Sequence, residues 1–201
     1  ARRLPKPAGE FVFLASFEWG ERKDPWLLLR AFNGTFTADE PVRLLCKISN
    51  RDPLLKLKSE IRNLGLRPQG GKISYLLNLD FPHAELPMLY RSADCFLAVS
   101  RGEGWDMPLM EAMACGCICV VSRTPGIEEV VGTSEGIVDA FDIQAVADRI
   151  CAVFAGPDRF ENERQSNRTV IAERFDASEV ARVRLAVWRD AGAKLSSGGL
   201  S

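Results

Sequence analysis

The chain has 201 residues, 46% of them hydrophobic and 26% charged, with a formal net charge of −1. Such a composition suits a soluble globular fold with one large core or two small ones, and the near-zero charge argues against a dedicated nucleic-acid surface, which shows a basic excess or stripe. No apolar run is long enough to cross a bilayer, since the longest, near Met113 to Val121, contains Gly116.

The N-terminal Ala1-Arg-Arg-Leu-Pro-Lys-Pro7 is basic but lacks the apolar segment of a signal peptide, and residues 1–9 read as a linker. Phe11 to Phe17 is a nearly continuous apolar run, as expected of a parallel strand buried on both faces. A turn with Gly20 follows, and Pro25 opens a helix expected to reach about Phe36, with Leu28, Leu29, Phe32 and Phe36 on one face. Val42 to Ile48 reads as the second strand, Pro53 to Leu64 as a helix ended by Gly65, and Ile73 to Leu77 as the third strand. A helix is expected over Ala84 to Ala93 and a fourth strand over Cys95 to Val99.

The next helix is expected to start at Pro108, because proline suits the first helical position, and to end at Cys115-Gly116 with Gly116 as its cap. Cys117 to Val121 reads as a fifth strand and Gly136 to Val138 as a short sixth. Three helices close the chain, near Ile143 to Phe154, Arg159 to Phe175 and Ser178 to Ala191. The last carries Val180, Val183, Val187 and Trp188 at helical spacing, which reads as a core face with Trp188 as its anchor. Residues 193–201 read as a flexible tail.

Alternating strand and helix signals imply an α/β fold. The expectation is one doubly wound, Rossmann-like parallel sheet of about six strands, with helices on both faces, over residues 10–192. In such sheets ligands bind outside the carboxyl ends of the strands, at the switch point. The loops after Phe17 and Val99 should then face each other and bring Arg22, Lys23, Glu103 and Glu111 together.

The stretch Ser100-Arg-Gly-Glu-Gly-Trp-Asp-Met-Pro-Leu-Met-Glu-Ala-Met-Ala-Cys-Gly116 carries the chemistry. Glu103 lies in the loop and Glu111 eight residues on, in the expected first helical turn. Helix N-termini attract phosphate through free N–H groups. Two carboxylates beside such a seat can accept from sugar hydroxyls, which suits a sugar joined to a nucleoside diphosphate.

Other signals are blander. The six cysteines form no C-x-x-C pair and read as small core groups in a reducing compartment. Zinc-ligand spacings are absent, no Asp-x-Asp pair occurs, and no metal is expected. Gly70-Gly71-Lys72 fails as a phosphate loop because Ile73 replaces Ser or Thr. Asn33-Gly-Thr35 and Asn167-Arg-Thr169 read as chance sequons. The single histidine, His83, reads as a surface or helix-start residue, with nucleotide contact as the alternative.

The ordered set of motifs strongly resembles the group 4 family (group 1 type) of retaining glycosyltransferases with the GT-B fold. Glu103 to Gly116 resembles the E-x7-E signature of that family. Glu21-Arg22-Lys23-Asp24-Pro25 resembles its phosphate loop, Leu86 to Ser100 the helix and strand before the signature, Ser122 to Val130 the segment after the fifth strand, and Arg174-Phe175-Asp176 the start of the closing helix. The resemblance implies the donor-binding C-terminal half of a two-domain enzyme, with the N-terminal acceptor domain absent.

By the same resemblance Lys23 should contact the donor diphosphate, with Arg22 beside it, and Glu111 should accept from the ribose hydroxyls. Glu103 should lie at the transferred sugar, making Glu103 and Lys23 the implied catalytic pair. The amides of Gly104, Trp105 and Asp106 should line the sugar pocket, those of Leu109 and Met110 should meet the phosphates, and the base should stack near Asn78-Leu79. Two departures stand out. Ser16 or its neighbour replaces a family arginine, and Asp106 stands where glycine is usual.

The implied reaction transfers a sugar from a UDP- or GDP-sugar to a sugar or lipid-linked acceptor hydroxyl with retained configuration, without cofactor or metal. The isolated domain is expected to be inactive alone. The alternative is a catalytically inactive nucleotide-binding or interaction module of the same fold, for which Ser16 and Asp106 speak. An epimerase or a pyridoxal phosphorylase fits less well, since the acid/base groups and the lysine they need are not found. The expected location is cytoplasmic, with attachment of the full-length protein to a membrane surface left open and no transmembrane segment.

Overall fold

The computed structural model describes residues 5–132, 136–139 and 141–197. Six strands form one sheet: β1 (Phe11–Glu18), β2 (Val42–Ser49), β3 (Lys72–Leu77), β4 (Cys95–Ala98), β5 (Ile118–Ser122) and β6 (Ile137–Val138). Their order is β3-β2-β1-β4-β5-β6 and every pairing is parallel. The register of β1 on β2 runs from Phe11↔Val42 to Glu18↔Ser49 without a break. The order reverses between β1 and β4, so the crevice beyond their carboxyl ends is the switch point, as the sequence implies.

Side chains alternate across the sheet and feed two cores. Phe13, Ala15, Phe17, Leu97 and Val120 pack under α1 (Pro25–Thr35), α2 (Leu57–Asn63) and α6 (Ile143–Ala155). Leu14, Phe96, Ala98, Cys119 and Val121 pack under α3 (Leu86–Arg91), α4 (Met107–Ala114), α5 (Pro125–Val131) and α7 (Glu161–Arg174). Cys46, Cys95, Cys117 and Cys119 are buried, and burial holds their thiols above the ordinary value. Cys115 is partly covered and Cys151 is exposed.

Several boundaries depart from the sequence reading, each for a local reason. Pro53 does not open a helix, because Asn50 and Asp52 fold that segment into side-chain turns: Asn50 Nδ2 donates to the Asp52 carbonyl at 2.7 Å and Leu54 N–H to Asp52 Oδ1 at 2.8 Å. α5 was not anticipated, although Thr124 caps it through its hydroxyl and Pro125 opens it. α8 (Ala177–Ser197) runs into the expected tail, while residues 1–4 and 198–201 lie outside the described part.

The core role expected for Trp188 is not met. Trp188 is 70% exposed and Val187 60%, because α8 touches little beyond α7 and its apolar face is left uncovered. None of the helices among the described residues is long and apolar enough to cross a membrane.

Candidate functional site

The loops after β1 and β4 end by the same device. Asp24 follows a 3₁₀ turn (Glu21–Lys23) and has φ 37°, in the left-handed region. From there its Oδ1 accepts from Leu27 N–H at 3.3 Å and caps α1. Asp106 has φ 42°, and its Oδ1 accepts from Leu109 N–H at 3.4 Å to cap α4. Aspartate tolerates this backbone region better than most residues and is a strong N-cap. A position with φ of 42° is also one that glycine fills without strain, which accounts for the aspartate–glycine exchange noted in the sequence.

These two loops are bonded to each other. Arg101 N–H donates to the Arg22 carbonyl at 2.8 Å, and Arg22 Nη1 donates to the Gly102 carbonyl at 3.1 Å. Arg101 Nε donates to Asp24 Oδ2 at 2.8 Å. The crevice is therefore a fixed frame, to which Gly126 of α5 adds a third side. A Cβ on Gly126 would lie 1.8 Å from the Gly104 carbonyl oxygen and 2.6 Å from that of Glu103.

Four charged side chains meet inside this frame. Lys23 Nζ lies 2.8 Å from Glu103 Oε1 and 3.3 Å from Asp106 Oδ2. Arg22 Nη1 lies 2.7 Å from the same Glu103 oxygen. The approach to Glu103 Oε1 is not along hydrogen-bond directions, so the attraction there is Coulombic. The Lys23, Glu103 and Asp106 side chains are only 12%, 5% and 3% exposed. Buried charges persist only when paired, and here each offsets the other. Burial above all holds the Asp106 carboxyl above its ordinary range, with Glu103 adding to the rise and Lys23 and the Leu109 amide opposing it.

Glu111 stands apart from this cluster. α4 begins at Met107 with Asp106 as its cap, so Pro108 is second rather than first and Glu111 falls at the start of the second turn. Its Oε2 accepts from the Tyr90 hydroxyl at 2.5 Å. Tyr90 is 2% exposed and packs edge-on against Phe96. Its phenol is pushed well up, first by burial and then by the bond to Glu111, and it also senses Asp106. Glu111 and Tyr90 line a cavity of about 260 Å³ with His83, Leu86, Pro87 and Arg91. His83 thus joins Glu111, while Leu79 is 48% exposed and outside that lining.

The amides expected to meet phosphate are already engaged. Leu109 N–H bonds to both the carbonyl and the carboxylate of Asp106, and Met110 N–H to the Asp106 carbonyl at 3.2 Å. The aspartate at the cap, rather than an empty helix end, accounts for this. Trp105 is 49% exposed and meets Phe175 edge-on at 5.1 Å, so it forms a wall rather than a floor. Among the described residues no group of three or more His, Cys, Asp or Glu is arranged to hold a metal ion.

The sequence reading turns Tyr90 inward on its helix but gives no site role to Tyr90, Arg101 or Gly126. Only Gly126 left a signal there, as a glycine just inside a Thr-Pro helix start, where nothing local requires one.

Comparison with known proteins covers most of the chain. The family model described as glycosyl transferases group 1 matches residues 8–155. D-inositol 3-phosphate glycosyltransferase 1 of Catenulispora acidiphila is 29% identical over 202 aligned positions, covering 94% of this chain and 46% of that protein. The sucrose-phosphate synthase of Thermosynechococcus elongatus superposes with a TM-score of 0.76 at 21% identity, covering 94% of this chain and 47% of that one. Alr3699/HepE of Anabaena, solved with UDP and glucose, superposes with a TM-score of 0.68 at 18% identity, covering 94% of this chain and 49% of that one. The chain spans less than half the length of the curated relatives it matches. Both the extent of the family match and the shared doubly wound sheet of the GT-B type lead to one assignment: the chain belongs to the glycosyl transferases group 1 family.

Proposed function

We propose that this chain is the donor half of a retaining glycosyltransferase, binding a nucleotide-sugar whose sugar passes to an acceptor hydroxyl. The observation that carries the reading is Lys23, held almost buried between Glu103 and Asp106 at the switch point, with Glu111 lining a cavity on the helix that Asp106 caps. Lys23 receives the diphosphate, with Arg22 beside it holding Glu103; Glu103 receives the transferred sugar, and Glu111 the ribose hydroxyls. The presence of UDP and glucose in the Anabaena relative supports a nucleotide-sugar as ligand.

The role of each residue follows from charge. Departure of the sugar as an oxocarbenium-like species leaves negative charge on the diphosphate. A lysine already fixed beside that place stabilises the charge without reorganising, which is electrostatic catalysis. Removing one such contact costs on the order of 2–4 kcal/mol of barrier, by analogy with oxyanion-hole donors. Glu103 has Arg22 as a second partner, so it keeps a cation beside it and can accept from sugar hydroxyls when Lys23 turns to phosphate.

Titration calorimetry with UDP and GDP tests the reading. Saturable binding that weakens in Lys23→Ala and in Glu111→Ala is the expected result, and no binding of either nucleotide would refute it. One observation favours a second reading, an inactive module. Asp106 occupies both Lys23 and the Leu109 amide, and a carboxylate that never yields them would exclude the donor. Turnover with a panel of donors and acceptors separates the two, since the inactive module gives none.

A further inference from the structure

We infer that Asp106 takes up a proton when the diphosphate of a nucleotide-sugar enters the site, so that donor binding is proton-linked and Asp106 becomes a hydrogen-bond donor to phosphate. This rests on the donor reading above.

The argument begins with charge. The cluster holds two cations, Arg22 and Lys23, and two carboxylates, Glu103 and Asp106, and is balanced as it stands. A nucleotide-sugar brings one negative charge on each phosphate. Placed against a balanced cluster, those charges gain nothing unless Lys23 leaves a carboxylate for the phosphate. Glu103 can release Lys23, because Arg22 stays with it at 2.7 Å. Asp106 can release it only by losing its own charge, because among the described residues Lys23 is its only ion-pair partner.

The surroundings offer Asp106 no substitute. Tyr90 from α3 and Cys119 from β5 carry no positive charge that could replace Lys23, Glu103 from its own loop adds repulsion, and the Leu109 N–H of α4 is the one favourable neighbour that stays. Arg22 is committed to Glu103, and Glu111 lies beyond Tyr90. A carboxylate with a 3% exposed side chain and no cation left beside it neutralises rather than remaining charged. Burial already holds its carboxyl above the ordinary value while Lys23 is still present.

The two oxygens divide the work. Oδ1 accepts from Leu109 N–H and keeps the cap on α4 whether the group is charged or neutral. Oδ2 faces Lys23 in the free site, so it is the oxygen that is vacated. A proton from the solvent buffer added there turns an acceptor into a donor aimed at the arriving phosphate. No bond other than that O–H forms, and the balanced cluster ends with one negative charge fewer.

Calorimetry with an intact UDP-sugar tests this, since its esterified diphosphate has no oxygen that titrates near neutrality. Binding is measured at fixed pH in buffers of different ionisation enthalpy, then across mildly acidic to neutral pH. The wild type is expected to take up as much as one proton per donor, with affinity falling by up to about tenfold per pH unit as pH rises. Asp106→Asn, which keeps the left-handed backbone and the cap, is expected to bind with no uptake and a flat pH profile. Asp106→Gly serves equally if the Asn variant fails to fold. Wild-type binding without proton uptake, or an uptake that survives in either variant, overturns the inference. Absence of donor binding in wild type and variants alike overturns the donor reading itself, and is a distinct result.

Discussion

Replacing Tyr90 by Phe removes one oxygen from a site where every other contact can be kept. The ring remains packed edge-on against Phe96 at a centroid distance of 5.8 Å, so the cores are not disturbed. What is lost is the hydroxyl that donates to Glu111 Oε2 at 2.5 Å. A hydrogen bond to a charged group contributes about 1.5–3 kcal/mol. Glu111 lines an open cavity and is only partly buried, so water replaces part of the bond and the lower end applies. A loss of about 1.4 kcal/mol corresponds to a tenfold weaker complex. The assay is calorimetric titration with UDP and with 2′-deoxy-UDP. If Tyr90 holds Glu111 against the ribose diol, Tyr90→Phe weakens UDP about tenfold and narrows the gap between the two nucleotides. Unchanged UDP affinity, or an equal loss for both nucleotides, refutes the reasoning.

Three further outcomes follow from the geometry. Gly126→Ala drives a methyl into the Gly104 carbonyl, and should destabilise the fold by about 1–3 kcal/mol and reduce UDP binding, read by urea unfolding and titration. Thiol titration of the native protein should show one accessible group, Cys151, reacting more slowly than a free thiol because its own acidity is reduced, first by burial and then by Asp148. Cys115 should follow, and the four buried thiols only on unfolding. Trp188→Ala should change the stability of this chain by no more than about 0.5 kcal/mol, the surface range, rather than the 3–5 kcal/mol of a core tryptophan.

The sheet was legible because strands buried on both faces leave continuous apolar runs, as at Phe11 to Phe17, and parallel pairing then follows from the alternation with helices. The crevice followed from topology, which joins the loops carrying Lys23 and Glu103. Contacts that depend on side-chain direction were not legible. Whether Glu111 faces Lys23 or Tyr90 turns on where α4 begins, and Asp106 moved that start by one residue. The spacing of Val183, Val187 and Trp188 states that α8 has an apolar face, but periodicity is silent on what covers it. Gly126 matters through a carbonyl that is distant in sequence, which no local pattern encodes.

Asp24 and Asp106 close both sides of the crevice with a left-handed aspartate that also begins the next helix. A swap of either loop between relatives must therefore carry its terminal acid, or a glycine or asparagine, along with it. Most other residues would set the backbone against its handedness, at about 1–2 kcal/mol, and strip the cap for about another. A chimera made by trading the lysine-bearing segment alone should fold poorly until that final position is transplanted too.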